Sequence, residues 1–441
     1  MKILNWKNGT YSFVWENIPF VMAGDDLLLN CITHIRENKS RDYIFNRLFK
    51  DKPEEKEFKE YIEQVEEALN FTDNYQDEES NSMVNKQSMF TLNLTRQCNL
   101  NCKHCYAGGT IKKAEMSIKQ IEDLIDFMST RVIEPKLMII TGGEPTIEQE
   151  KLKTAIKKGY QYGFKIRVNS NGILITNEMA KFFKEYNVIV QLSLDGIDAQ
   201  THALLRNDIN AYGYVMNAIN ILKSNCVDFA ISFTIHSENI KQLPQMIDFA
   251  LKIGAEKFNT SSLVQIGNAK INNLRTVDFL EEFSSLYNEV RNDKRKQHLT
   301  RATLFAETVI AIRDGVKFVQ CGTGNCTTCI DSSGEIYPCL NMMNSDFLIS
   351  NVNDSNFKEQ FNESKIREYL SKINISNLND KCSKCFFKYW CGGYCRGETI
   401  ANGGNITDPY VRCSSWKRGL VFILKCLAET PDLYEGEMLY E

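Results

Sequence analysis

Three cysteines in the stretch "TRQCNLNCKHCYAGG", Cys98, Cys102 and Cys105, stand at spacing C-x3-C-x2-C. Thiols this dense on one short loop suit a metal site. Structural zinc, however, takes four protein ligands, usually as two pairs, and no fourth Cys or His of the right kind follows nearby. His104 lies inside the loop, and its side chain leaves in a different direction from that of Cys105. The loop therefore offers three thiolates and leaves one coordination position to something else. A second group occupies residues 321–413: "CGTGNCTTCIDSSGEIYPC", then "CSKCFFKYWCGGYC", then Cys413. Its spacing is Cys321-x12-Gly334-x4-Cys339, followed by Cys382-x2-Cys385-x5-Cys391-x3-Cys395-x17-Cys413. Paired C-x2-C alone would read as a zinc ribbon.

Length and composition bound what such sites can serve. At 441 residues the chain has room for two or three domains and a large core. A formal net charge of -4 gives no general case for nucleic-acid binding. No apolar run of about 18 residues appears, and the start "MKILNWKNGTYSF" lacks a signal peptide's apolar stretch. The expectation is a cytoplasmic protein with no nucleic-acid and no membrane partner. Disulfides are rare in that compartment, so fifteen cysteines are better explained by metal than by bridges. Cys31, Cys226 and Cys426 stand apart from both groups in apolar helical contexts and read as buried thiols. Five histidines are too few for a histidine-rich site, and no Ser/His/Asp set or phosphate loop is present.

The elements that must position these residues fall into three regions. Residues 1–71 open with alternating residues around Asn8-Gly9, the signature of a type I′ hairpin. Three helical patterns follow. In the last, Pro53 suits the first turn, and Phe58, Tyr61, Ile62, Val65 and Leu69 form one apolar stripe. Residues 72–88 are polar, acidic and aperiodic, as in a linker. From residue 89 the runs "MFTLNL", "LMIITGG", "KIRVNSNG", "VIVQLSLDG", "FAISFTIH" and "KFNTSSLV" alternate with helical segments. One helix opens with a capping box of Ser117 and Gln120. Six β/α units imply an α/β protein with parallel strands, either a doubly wound sheet or part of a barrel. Polar and glycine residues cluster at the C-terminal strand ends, the rim where either architecture builds its sites.

C-x3-C-x2-C directly after a first strand, with "GGEP" after the second, resembles the radical S-adenosylmethionine (radical SAM) enzymes. The resemblance covers residues 89 to about 270 and implies a partial (β/α)6 barrel of TIM type, here over 89–310. It also implies that Cys98, Cys102 and Cys105 hold a [4Fe–4S] cluster. The fourth iron then chelates the amino and carboxylate groups of S-adenosylmethionine, which is cleaved to a 5′-deoxyadenosyl radical. Gly142, Gly143 and Glu144 match the GGE motif, in which the glycines let backbone approach the cofactor and the glutamate accepts from its amino group. Ser193 and Asp195 in "LSLDG" fall where family members hold ribose and carboxylate. Asn169 and Asn171 are polar at the third strand's end, and "QIGNAK" (265–270) resembles an adenine-side segment. His104 takes the usual aromatic position beside the last cysteine, able to pack on the adenine.

The second cysteine group resembles the SPASM domain, here over 311–441, which holds two auxiliary [4Fe–4S] clusters and brings the total to three. By that resemblance Cys382, Cys385, Cys391 and Cys413 bind one cluster completely, and Cys321, Cys339 and Cys395 bind the other. For its fourth ligand the favoured residue is Cys326, on the "GTGNC" turn; the alternatives are Cys329, which begins a strand and reads as core, or an iron left open. Residues 1–71 resemble the PqqD-like, winged-helix-like element of peptide maturases, which captures a leader peptide by strand addition. Together these imply a peptide-crosslinking maturase of the sactisynthase and SCIFF-maturase type. It would act on a ribosomally made precursor peptide and draw electrons from a partner such as flavodoxin or ferredoxin. A cysteine thioether is the expected bond. Competing readings are another carbon–carbon or carbon–oxygen crosslink, side-chain oxidation as in sulfatase maturation, and oxidation of a small molecule such as a tetrapyrrole.

Overall fold

The computed structural model describes residues 1–15, 18–49, 55–75, 87–107 and 114–435. Most of the expected linker, together with Pro53, Gly108 and Gly109, lies outside the described residues.

The chain begins with an antiparallel meander, β1 (Lys2–Asn5), β2 (Thr10–Val14) and β3 (Val21–Asp25). The hairpin expected at Asn8-Gly9 forms, but not as a two-residue turn. Asn5 pairs with Tyr11, and the left-handed residues are Lys7 (φ 62°) and Gly9 (φ 81°). Side-chain bonds explain the longer loop: Asn5 Oδ1 accepts from the Lys7 N–H, and Asn8 Oδ1 accepts from the Thr10 N–H and hydroxyl. Three helices follow, α1 (Asp26–Arg36), α2 (Arg41–Leu48) and α3 (Glu55–Asp73). Asp25 and Ser40 cap the first two with their side-chain oxygens. The α3 stripe packs as its spacing implies, with Ile62, Val65 and Leu69 buried and Phe58 and Tyr61 against them. With Phe13, Leu28, Cys31 and Ile32 they form a core separate from the main one. The module sits on the helix Cys413–Glu429, where Ser12 Oγ donates to the Leu424 carbonyl and Asn8 Nδ2 to Glu429.

Six parallel strands follow: β4 (Met89–Asn93), β5 (Leu137–Thr141), β6 (Lys165–Ser170), β7 (Ile189–Ser193), β8 (Phe229–Ile235) and β9 (Lys257–Ser262). They lie side by side in chain order. A doubly wound sheet would reverse order at a switch point; this one never does, so the architecture is a partial barrel. Helices α4 (Ile118–Ser129), α5 (Gln149–Gln161), α6 (Asn177–Glu185), α7 (Ala199–Arg206), α8 (Ala211–Ser224) and α9 (Leu243–Ile253) form the crossovers. The Ser117–Gln120 capping box forms as expected. Outward-facing Phe90, Leu92, Ile166, Val168, Val190 and Leu192 are buried under these helices.

The barrel does not close. At the β4 edge the sheet instead continues into the C-terminal region, through β10 (Cys329–Ile330), β11 (Glu335–Tyr337) and β12 (Ser350–Asn351). Strand β10 pairs parallel to β4, Ile330 opposite Leu92, and turns into β11 over Gly334 (φ 87°). One hydrophobic core therefore runs from the barrel into the cysteine-rich region. Among the described residues no helix is long and apolar enough to cross a membrane.

Candidate functional site

The three cysteines at the end of β4 line a cavity of about 890 Å³ inside the barrel mouth. Their loop is held by backbone. Gly143 N–H donates to the Thr95 carbonyl (2.6 Å) and Glu144 N–H to the Gln97 carbonyl (2.8 Å). This contact adds a reason for the two glycines. A Cβ at Gly142 would stand 2.4 Å from the Thr95 oxygen, and one at Gly143 2.1 Å from the Gln97 oxygen. They are needed because the loop after β5 touches the cysteine loop, and both also line the cavity. From the other side Asn268 N–H donates to the Cys105 carbonyl and its side chain to the Cys102 carbonyl, so "QIGNAK" closes over the same loop. A Cβ at Gly267 would meet the Cys105 and Tyr106 oxygens at 2.5 Å.

Glu144 is buried and lines the cavity. Its Oε1 accepts from the Thr146 N–H and hydroxyl and from Ser170 Oγ; its Oε2 accepts from the Asn171 N–H at 2.8 Å. Burial raises this carboxyl, while the four bonds oppose the rise. Oε2 keeps a lone pair for a further donor. Asn171 also reaches Asn99 of the cysteine loop (2.7 Å), and Ser193 lines the cavity opposite. Asn169 is in the wall too, its Oδ1 shut from solvent without a partner. His104 lines the cavity with an unpartnered Nδ1, and burial, then the Arg206 charge, hold it down at about 4, neutral.

Asp195 is placed differently. It is buried behind the wall, accepting from Arg206 Nε at 2.6 Å and from the Thr234 N–H, and is not among the residues lining the cavity. Arg206 stands there instead, with Nη1 3.9 Å from Cys102 Sγ. Neither Arg206 nor Ser170 was singled out by sequence. Ser170 could have been found, since it lies between two residues that were; Arg206 carries no local signal beyond being a basic residue in the last turn of α7.

In the C-terminal region Cys382, Cys385, Cys391 and Cys413 all line one small cavity of about 20 Å³. Lys417 lines it too: burial works against its charge, and the Cys385 and Cys413 sulfurs outweigh that, so it titrates above its ordinary value. Cys321, Cys339 and Cys395 form the other set. Burial first, then Cys321 and Cys395, push the Cys339 thiol up to about 12. The Cys395 sulfur accepts from the Glu398 N–H and from Asn341 Nδ2. Cys326 is in the same turn as Cys321, its N–H bonded to the Gly322 carbonyl. Cys329 is wholly buried on β10, with Sγ 3.7 Å from Met343 Sδ. Arg96 joins the two regions in a bidentate ion pair with buried Asp331, Nε to Oδ1 at 3.1 Å and Nη2 to Oδ2 at 3.0 Å. Of the solitary cysteines, Cys31 and Cys426 are buried as expected. Cys226 is exposed, because it follows α8 in a left-handed turn (φ 53°) and not on the helix's apolar face.

Comparison with known proteins agrees with this geometry. Residues 92–250 match the radical SAM superfamily model, and residues 321–386 match that of the SPASM iron–sulfur cluster-binding domain. The AdoMet-dependent heme synthase of Methanosarcina barkeri is 24% identical over 351 residues, 75% of this chain and 97% of that protein. Among solved structures, anSMEcpe with bound AdoMet and the Cp18Cys peptide superposes with a TM-score of 0.63 at 17% identity. It covers 78% of this chain and 99% of its own. Streptococcus suis SuiB bound to precursor peptide SuiA also gives 0.63, at 13% identity, covering 91% of this chain and 99% of its own. With three thiols at the mouth of an open parallel barrel and a cysteine-rich extension joined to it, the chain is a radical SAM enzyme with a C-terminal SPASM domain, binding S-adenosylmethionine and iron–sulfur clusters.

Proposed function

We propose that the chain modifies a ribosomally made precursor peptide and installs a cysteine thioether in it. The observation that carries the peptide reading is the N-terminal module. It has its own core and presents two edge strands, β1 and β3. A strand edge offers unpaired backbone groups to an extended peptide, the basis of leader capture in the PqqD-like element. Residues 1–73 are about 17% of the chain, so a fold match covering 91% takes in a good part of them. The protein so matched is one bound to its precursor peptide.

In this reading Cys98, Cys102 and Cys105 hold one [4Fe–4S] cluster, and the two C-terminal sets hold two more. Cofactor and cluster together supply a 5′-deoxyadenosyl radical when bound. Glu144 Oε2 would hold the cofactor's amino group, Arg206 and Ser193 would hold its carboxylate and ribose, and neutral His104 would pack on the adenine. Asp195 acts through Arg206. Closing a C–S bond from a C–H and an S–H releases a hydrogen atom, a proton and an electron. The electron needs an acceptor, which the Cys321/Cys339/Cys395 set would provide, with Cys326 completing or vacating its fourth position. A flavodoxin- or ferredoxin-type partner would start the reaction by reduction.

Incubating the reconstituted enzyme with a candidate precursor tests this. A product lacking both hydrogens per crosslink, with a precursor cysteine no longer alkylatable, is expected. Loss of the same hydrogens with every cysteine still reactive would make the bond carbon–carbon or carbon–oxygen. The second reading, a tetrapyrrole substrate, is favoured by the heme synthase relative, whose match covers 75% of this chain. Turnover of an iron coproporphyrin without any peptide would establish it.

A further inference from the structure

A complete TIM barrel fills its interior with layers of branched apolar side chains. This one does not. Along the strands the inward residues alternate with the buried outward ones, and many of those that line the cavity are polar, Arg167 and Asn169 on β6, Gln191 and Ser193 on β7, Ser232 and Thr234 on β8, although Ile139 of β5 also lines it. Arg167 is the deepest cation among them. It precedes Ser170, which bonds Glu144, by three residues, which at about 3.3 Å per residue puts it roughly 10 Å below that level. Its neighbours across the sheet are Ile139 on β5 and Ile189 on β7.

Among the described residues Arg167 makes no hydrogen bond and no ion pair within 4 Å. Its Nε is shut from solvent without a partner, as is the Oδ1 of Asn169 one step above it. The one carboxylate that acts on it, Glu307, does so only through space. Burial accordingly favours loss of its charge, an unusual condition for arginine. Guanidinium groups inside proteins are almost always paired, because an uncompensated buried charge is costly. A fork of N–H donors at a cavity floor, with no carboxylate bonded to it, matches a planar two-oxygen anion.

We propose that the barrel floor is a carboxylate-binding subsite in which Arg167 receives an anionic group of the substrate. The inference rests on the peptide reading only for its source: an aspartate or glutamate side chain, or the peptide's C-terminal carboxylate. The cofactor's own carboxylate belongs beside Arg206 and the cysteine loop, at the rim. Arg167 thus selects which segment of the substrate enters the barrel, and holds it below the reacting atoms.

The test uses the full chain, reconstituted, in thermal-shift titrations with glutarate, its uncharged analogue glutaramide, N-acetyl-aspartate amide and N-acetyl-alanine. Carboxylates should raise the melting temperature in a saturable way and glutaramide should not, because only a ligand of the folded state stabilises it. The shift should vanish in Arg167→Gln and persist in part in Arg167→Lys. Without ligand, Arg167→Gln should melt at or above the wild-type temperature, since it removes a half-buried cation that only Glu307 offsets, through space. S-adenosylmethionine binding should be the same in both. A larger shift with the aspartate amide assigns a side-chain carboxylate, and a larger one with N-acetyl-alanine assigns a chain end. Equal stabilisation of wild type and Arg167→Gln, no stabilisation by any carboxylate, or a clear loss of melting temperature in the ligand-free variant would each overturn the subsite. None of these outcomes depends on whether the natural substrate is a peptide, so failure here and failure of the maturase reading remain separable.

Discussion

Cys98, Cys102 and Cys105 face a cavity of about 890 Å³, whereas Cys382, Cys385, Cys391 and Cys413 surround one of about 20 Å³. The first set is three thiols on one loop, clamped by backbone bonds from Gly143, Glu144 and Asn268. The second is four thiols gathered from short helices and the start of the helix Cys413–Glu429, packed against Trp416 and Leu420. An iron left without a protein ligand is useful only where a small molecule can reach it; a cluster with four thiolates in a tight cavity can only pass electrons. In the reading proposed above, one chain would carry an open centre for chemistry and a closed one for electron storage. Arg96 and Asp331, with the β10–β4 pairing, fix the distance between the open centre and the rest of the C-terminal region.

The largest expected effect breaks the open side. Changing Cys98, Cys102 and Cys105 together to Ala should abolish 5′-deoxyadenosine formation and remove roughly one [4Fe–4S] equivalent, leaving the other clusters' spectra in place. Liquid chromatography of the reaction mixture and iron analysis read this directly. Next, Glu144→Gln should weaken S-adenosylmethionine binding roughly 10- to 100-fold, since a hydrogen bond to a charged group contributes about 1.5–3 kcal/mol. Equilibrium dialysis checks it, and the circular dichroism spectrum should not change.

The intermediate set at Cys321, Cys339 and Cys395 decides where the comparison sharpens. Cys326→Ala should alter the spin-resonance signature of one auxiliary cluster with little change in melting temperature. Cys329→Ala should do the reverse, costing about 1 kcal/mol through lost packing of a buried thiol. The opposite pattern would make Cys329 the ligand.

The most indirect effect concerns the support behind the open site. His202 Nδ1 accepts the Asp195 N–H at 3.0 Å, and burial holds this ring down at about 4 against 6.5 for a free one. The unfolded chain therefore binds the proton first. The stability this neutral ring contributes is complete above pH 6.5 and is lost as pH falls toward 4. His202→Gln should flatten the dependence of stability on pH in that window by about 1–3 kcal/mol, readable in urea melts at pH 5 and pH 7.

Much of the open site was legible because its parts are local. Three cysteines, "GGEP", six short apolar runs and the capping box each occupy a few consecutive residues, and each became the element that it signals. The extension of the sheet was not. Strands of two or three residues such as β10 and β12 carry no periodicity, and the pairing of Ile330 with Leu92 joins positions far apart in the chain. The reason for Gly142 and Gly143 was hidden in the same way, since the atoms they must approach belong to Thr95 and Gln97. Arg206 and Arg167 look like ordinary surface-type residues in sequence, and only the fold places one beside Cys102 and the other on the cavity floor. Cys226 misled because an apolar context continues up to the turn in which it sits.

The central claim, one open cluster beside closed ones, is tested most directly by Mössbauer spectroscopy of the anaerobically reconstituted, iron-57-enriched protein before and after adding S-adenosylmethionine. The expected protein holds about twelve irons in three [4Fe–4S] clusters, and the cofactor should shift the signal of a single iron site while the rest stay unmoved. An iron content near four with stoichiometric zinc, or spectra in which no site responds to the cofactor, would contradict it.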